Sequence, residues 1–108
     1  MDYSQLSDQE INLLVAKIQH PDKTFIESKT RSPSVVMLNH INMWIDYCNN
    51  PADAWPIIVK NRISIINLDE DEWGARGVAD RNSKRAIHEN SLRAAMIVFL
   101  MMQESQHA

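Results

Sequence analysis

The sequence predicts one α+β domain over residues 1–108, a layered α/β/α sandwich with a mostly antiparallel sheet and about three helices. Three observations predict it. Apolar spacing is helical near the N-terminus, becomes short and β-branched in the middle, and returns to helical at the end. At 108 residues the chain can bury one core and is too short for two. The segment from about Ser91 to Gln103 is apolar around most of its circumference, so it needs protein on every side.

The elements follow in order. Ser7-Asp8-Gln9-Glu10 is a capping box, in which the Ser7 hydroxyl and the Glu10 carboxylate each accept from the other's amide. A helix over 8–19 follows, with Ile11, Leu14, Val15 and Ile18 as its apolar face. His20-Pro21 ends it, because a residue before proline leaves the helical region. Thr24–Glu27, Ser34–Leu38 and Met43–Tyr47 read as strands separated by polar turns, the pattern of an antiparallel meander. Asn50 would cap a second helix with Pro51 at its first position, but Pro56 would then cost a hydrogen bond; with Asp53 as cap, the preferred reading, the helix spans about 54–62 and Pro56 falls where no internal donor is needed. Trp55, Ile58, Val59 and Arg62 then share a face, and Trp55 is expected in the core. Ile63–Asn67, Trp73–Val78 and Lys84–His88 are further strands, joined by an acidic loop at Leu68–Glu72 and a polar one at Ala79–Ser83. Asn90 caps the last helix, and the tail Ser105–Ala108 is expected to fray.

Composition excludes several functions. Two glycines are too few for a phosphate-cradling nucleotide loop. A net charge of −3 gives no global attraction for nucleic acid or an anionic membrane. The longest apolar run, Ala94 to Met102, is far short of the roughly 20 residues of a membrane span. Cys48 is the single cysteine, and a lone thiol fits a reducing compartment, which points to the cytoplasm. The polar start Met1-Asp2-Tyr3-Ser4 is unlike a signal peptide.

No motif demands a particular chemistry. Asp69-Glu70-Asp71-Glu72-Trp73-Gly74 begins like a calcium loop, but Trp73 takes the place of an oxygen ligand and Asp80 stands where a bidentate Glu belongs, so a solvated turn is the better reading. His20, His40, His88 and His107 are scattered without metal-ligand spacing, and no cofactor is implied. Cys48 with His40 or His88 would be a nucleophile, although an isolated cysteine at a strand end is usually a packed hydrophobe. Arg76, Arg81, Lys84, Arg85 and Arg93 make residues 76–93 locally basic, with Trp73 near enough to stack a base. The simpler expectation is a hairpin whose cations answer the acidic run 69–72. Arg93, in a first helical turn, opposes the macrodipole and calls for a partner such as Asp53 or Glu89. Trp44 and Trp73 are open to an interface role. Met96, Met101 and Met102 read as core, with an adaptable groove as the alternative.

Three segments resemble the NinX-like proteins of lambdoid phages and prophages. They are Met1-Asp2-Tyr3-Ser4-Gln5-Leu6-Ser7, Cys48-Asn49-Asn50-Pro51-Ala52-Asp53-Ala54-Trp55-Pro56-Ile57-Ile58, and the stretch from Leu92-Arg93-Ala94-Ala95-Met96 through Gln103-Glu104. More distantly, the segment before the second helix and the terminal Arg-Ala-Ala helix resemble the phage ABA-sandwich domain. The resemblance implies a phage or prophage origin, an accessory role and a layered fold, and it brings no catalytic residues.

The expectation for function is therefore a non-enzymatic binding module for an unidentified host or phage protein. Its candidate interaction residues are Trp44, Trp73, Arg76, Arg81, Lys84 and Arg85. The alternatives are nucleic-acid binding through 76–93 and an enzyme assembled from dispersed residues. The exposed edges of a small sheet also allow a homodimer.

Overall fold

The structure, a computed structural model, describes residues 1–39 and 41–106. After a 3-10 turn at Tyr3–Gln5, Ser7 caps helix α1 (Asp8–Gln19). The Ser7 hydroxyl accepts from the Glu10 amide at 3.1 Å, and the Glu10 carboxylate accepts from the Ser7 amide at 3.0 Å, the reciprocal pair the sequence predicts. The buried face of α1 is Ile11, Asn12, Val15 and Ala16, while Leu14 is half-buried and Ile18 exposed. The stripe is turned from the one read off the apolar residues because Asn12, a polar residue, belongs to it.

Strands β1 (Thr24–Glu27), β2 (Val35–Leu38) and β3 (Met43–Ile45) form the expected antiparallel meander in that order. Alternation sorts their side chains. Phe25, Val35, Met37 and Ile45 enter the core, and β1 and β2 lie against α1. Ile26, Val36 and Trp44 form one cross-strand row on the opposite face.

Helix α2 runs Pro51–Lys60, capped by Asn50 and not by Asp53. The Asn50 side chain accepts from the Ala52 amide at 3.0 Å, and Pro51 takes the first position, where it has no amide to lose. Asp53 instead accepts the Asp46 amide at 3.0 Å. Pro56 therefore lies inside the helix, at the cost of one backbone hydrogen bond. The buried face also differs from the expected one. Ala54, Ile57 and Ile58 are buried, and Trp55, expected in the core, is 60% exposed. Arg62, expected on the helix, lies beyond it with φ 56°.

Strands β4 (Ser64–Asp69), β5 (Glu72–Ala79) and β6 (Asn82–His88) form a second antiparallel sheet in the order β4-β5-β6. The expected loops shrink to tight turns, so Leu68 and Glu72 are strand residues. Asp80 and Arg81 both have positive φ, 54° and 66°, as a two-residue hairpin turn requires.

The last helix, α3 (Ser91–Gln106), is buried continuously from Arg93 through Leu100 and again at Met102. It packs on β4, β5 and β6 and on α1 and α2, which is what its apolar circumference demands. Contact passes from the first sheet through α1 to α3 and on to the second sheet. The α+β class, the three helices and the antiparallel pairing are as expected, and the strands divide between two sheets because helices fill the space between them. Helix α3 continues through Ser105 and Gln106, expected to fray, while His107 and Ala108 lie outside the described residues.

Gly77 sets how closely β5 approaches α3. A Cβ there would stand 2.5 Å from the Met102 sulfur and 3.0 Å from a Val98 methyl. Gly77→Ala should therefore push the helix off the sheet and cost about 1–3 kcal/mol. Urea denaturation measures it, and an unchanged midpoint at constant slope would contradict the close packing.

Candidate functional site

The most connected polar group in the molecule surrounds the start of α3. Asn90 caps it, accepting from the Leu92 and Arg93 amides at 2.9 and 3.2 Å and donating to the Cys48 carbonyl at 2.8 Å and the Asn49 side chain at 3.1 Å. Arg93 is only 5% exposed. Its guanidinium donates to the Asp8 carboxylate at 2.7 Å and to the Leu6 and Ser4 carbonyls at 2.6 and 3.3 Å. The partner is thus Asp8, in the first turn of α1, and neither Asp53 nor Glu89. Asn12 completes the junction. Its amide donates to the Pro33 carbonyl at 3.0 Å and the Asp46 carboxylate at 2.8 Å, and its oxygen accepts from the Cys48 amide at 3.0 Å. Asn49 donates to both Asp46 oxygens at 3.1 Å and to Asp8 at 3.3 Å.

This junction is built to hold segments together. Burial pushes the Cys48 thiol well above its ordinary range, and Asp8 and Asp46 push it further, with Arg93 opposing them. A buried, protonated thiol is a poor nucleophile. His88 accepts the Asn90 amide at 2.9 Å, His20 lies against Phe25, and His40 falls outside the described residues. Among the described residues, no three His, Cys, Asp or Glu side chains are placed to hold a metal. In the acidic turn the Asp69 carboxylate accepts the Glu70 amide at 2.8 Å.

The candidate interaction residues separate onto different surfaces. Trp44 is 42% exposed on the outer face of the first sheet, with the Arg31 guanidinium 4.2 Å from its ring centroid. A shallow hollow of about 340 Å³ lies beside it, lined by Ile26, Val36, Leu38 and Lys29. Arg76 and Arg85 are directly opposite each other on the outer face of the second sheet. Trp73 and Lys84 alternate with them and belong to the inner face, both half-buried. Arg81 is in the hairpin turn, and Arg93 is committed to Asp8. The basic segment is therefore not one patch. Nor do its cations pair with the acidic run 69–72: the ion pairs among the described residues are Arg93–Asp8, Lys23–Asp22 and the N-terminus with Glu104. Met96 and Met102 are core and Met101 packs against it.

A larger hollow, about 790 Å³, lies between α1 and the end of α3 and includes Met1, Tyr3, Leu14 and Leu100. At its side the Tyr3 hydroxyl donates to Glu104 at 2.7 Å, and the N-terminal ammonium donates to the same carboxylate at 3.2 Å.

The family model described as "Bacteriophage P22, NinX" matches residues 2–103. The chain belongs to the NinX family of phage proteins. Its fold is similar to that of a phage protein from Bacillus cereus ATCC 14579, known from a crystal structure. The TM-score is 0.65 at 13% identity, over 92% of this chain and 89% of that one. No curated protein matches the chain. The three NinX-like segments meet at the polar junction: Ser4 and Leu6 from the first, Cys48 and Asn49 from the second, Arg93 from the third.

Sequence reasoning named Trp44, Arg76 and Arg85 without their neighbours, and did not name Arg31, Asn12 or the row Ile26–Val36–Trp44. The row was legible only as alternation within short strands whose partners were unknown.

Burial raises the phenols of both Tyr3 and Tyr47 to about 12, helped by Glu104 beside Tyr3 and Asp53 near Tyr47. Unfolding returns them to about 10, so between those values the unfolded chain has lost protons that the native one keeps. Stability from this source is complete below pH 10 and falls as pH rises towards 12. Chemical denaturation across that range, with tyrosinate absorbance followed in parallel, should show the fall. Two tyrosines titrating near 10 in the native state would refute it.

Proposed function

We propose that this NinX-family protein is a non-enzymatic binding module that takes a protein partner on the outer face of the first sheet, in the cytoplasm of the bacterial host. The observation that carries this reading is Trp44 on edge strand β3, stacked by Arg31 and continuous with Ile26 and Val36. Trp and Arg dominate the energetics of protein interfaces, and a guanidinium over an indole holds both side chains in place before binding. At the border Lys29 and Arg31 outnumber the one carboxylate, Glu27, which favours a partner that sets carboxylates around an apolar contact. Among the described residues, a buried thiol with a raised pKa and His20 and His88 on separate elements supply no assembled reaction centre, which supports the non-enzymatic part.

Nucleic-acid binding is the second reading, favoured by the exposed Arg76–Arg85 pair. It is the weaker one because Lys84 and Arg93 face elsewhere.

Tagged protein captured from phage-infected cells tests both readings. The wild type should retain a stoichiometric protein that Trp44→Ala and Arg31→Ala each lose by at least about tenfold, a loss of about 1.4 kcal/mol, with circular dichroism unchanged. Equal capture by wild type and both variants would defeat the reading. Nucleic acid retained at low salt and lost in Arg76→Ala would establish the second in its place.

A further inference from the structure

The outer face of the second sheet carries a charge pattern that no ion pair among the described residues answers. Along β5 the outward residues are Glu72, Gly74, Arg76 and Val78, since Trp73, Ala75 and Gly77 turn inward. Register extends this across the sheet. Gly74 is flanked by Ile66 on β4 and Ile87 on β6, and Leu68 lies over it at 3.2 Å from where a Cβ would be. Two residues further along, Arg76 is flanked by Ser64 and Arg85. Two residues the other way, Glu72 is paired with Asp69, and Glu89 follows β6 at the same end. The face is thus an acidic row, an apolar row and a basic row, with the apolar row in the centre.

The apolar row is open to solvent. Ile66, Leu68 and Ile87 are 42%, 49% and 60% exposed. The basic row sets two guanidinium groups directly opposite each other, an unfavourable cross-strand pair when nothing neutralises it.

We infer that this face pairs with the same face of a second copy, around a two-fold axis that lies in the interface and crosses the strands at the Gly74 row. Such an axis reverses the strand direction and leaves strand order unchanged. Glu72 of one copy then meets Arg76 of the other, and Glu89 meets Arg85, each contact occurring twice. The apolar rows lie against each other at the centre. Two antiparallel residues span about 6.8 Å and packed sheets stand about 10 Å apart, so acidic and basic side chains on opposite faces are within reach of one another. The self-complementarity is the property an isologous interface requires. One three-stranded face is small for an interface, so the association is of moderate strength and depends on salt. The inference does not rest on the first-sheet docking surface, and the two faces can be tested separately.

Sedimentation velocity of the full chain over a concentration series tests it. The protein should pass from monomer to dimer, and added salt should shift the midpoint towards monomer. Arg76→Glu alone and Glu72→Arg alone should each weaken the dimer at least about tenfold, while Glu72→Arg combined with Arg76→Glu restores it, because each copy then offers the exchanged pair. Ile87→Lys should abolish it, and Trp44→Ala should leave it unchanged. A protein monomeric up to ~1 mM at low salt overturns the proposal. A dimer unaffected by these charge reversals and by Ile87→Lys also overturns it, as does a monomer that binds nucleic acid through Arg76 and Arg85. Circular dichroism of each variant confirms that the exposed substitutions leave the fold intact.

Discussion

A buried guanidinium at the wrong end of a helix organises this molecule. Arg93 lies in the first turn of α3, where the macrodipole opposes a cation, and it is almost fully removed from water. Both costs are met by one arrangement: the Asp8 carboxylate and two carbonyls of the N-terminal segment surround the planar group. Asp8 is itself in the first turn of α1, so one ion pair joins the N-termini of two helices. The Nε of Arg93 is buried with no partner among the described residues, a desolvation cost that the other contacts offset. Around the pair, Asn12, Asn49 and Asn90 tie in the loops before β2 and after β3. The apolar remainder of α3 is thereby aimed between the two sheets.

That placement explains what is left for function. Each sheet turns one face to a helix and leaves the other open, and the open faces are the surfaces the core does not need. They differ in character. The first has an indole held by a guanidinium, while the second has charge of both signs arranged about an apolar row. Membership of the NinX family gives the chain its phage context, and the similarity at 13% identity to a Bacillus cereus phage protein speaks for the fold alone. The three segments that carry the family resemblance meet at the junction.

Local signals were legible where the determinant is local. The Ser7–Glu10 capping box and Pro21 fix α1, and Asn90 fixes the start of α3, all from contacts within a turn. The second helix shows where such reasoning fails. Two caps were available, and the choice between Asn50 and Asp53 depended on a tertiary contact, the Asp46 amide, which a one-dimensional pattern does not contain. Which face of α2 is buried, and with it the exposure of Trp55, is likewise set by packing that the local pattern does not contain. The need of Arg93 for a partner was visible from the dipole, but its identity was not, because Asp8 is 85 residues away in the chain. The division into two sheets was likewise beyond strand propensity, since it follows from where the helices lie.

The claim that the buried pair organises the fold is tested most directly by a double-mutant cycle on Asp8 and Arg93, with stability measured by urea denaturation. Asp8→Ala leaves a buried cation without its counter-ion and should cost about 3–5 kcal/mol. Arg93→Met should cost less, because it removes the charge as well as its partners. The double variant should be clearly more stable than the sum of the single losses predicts, giving a coupling energy of at least about 2 kcal/mol. Single losses that add to within about 0.5 kcal/mol would mean that the two side chains are independent, and would contradict the account.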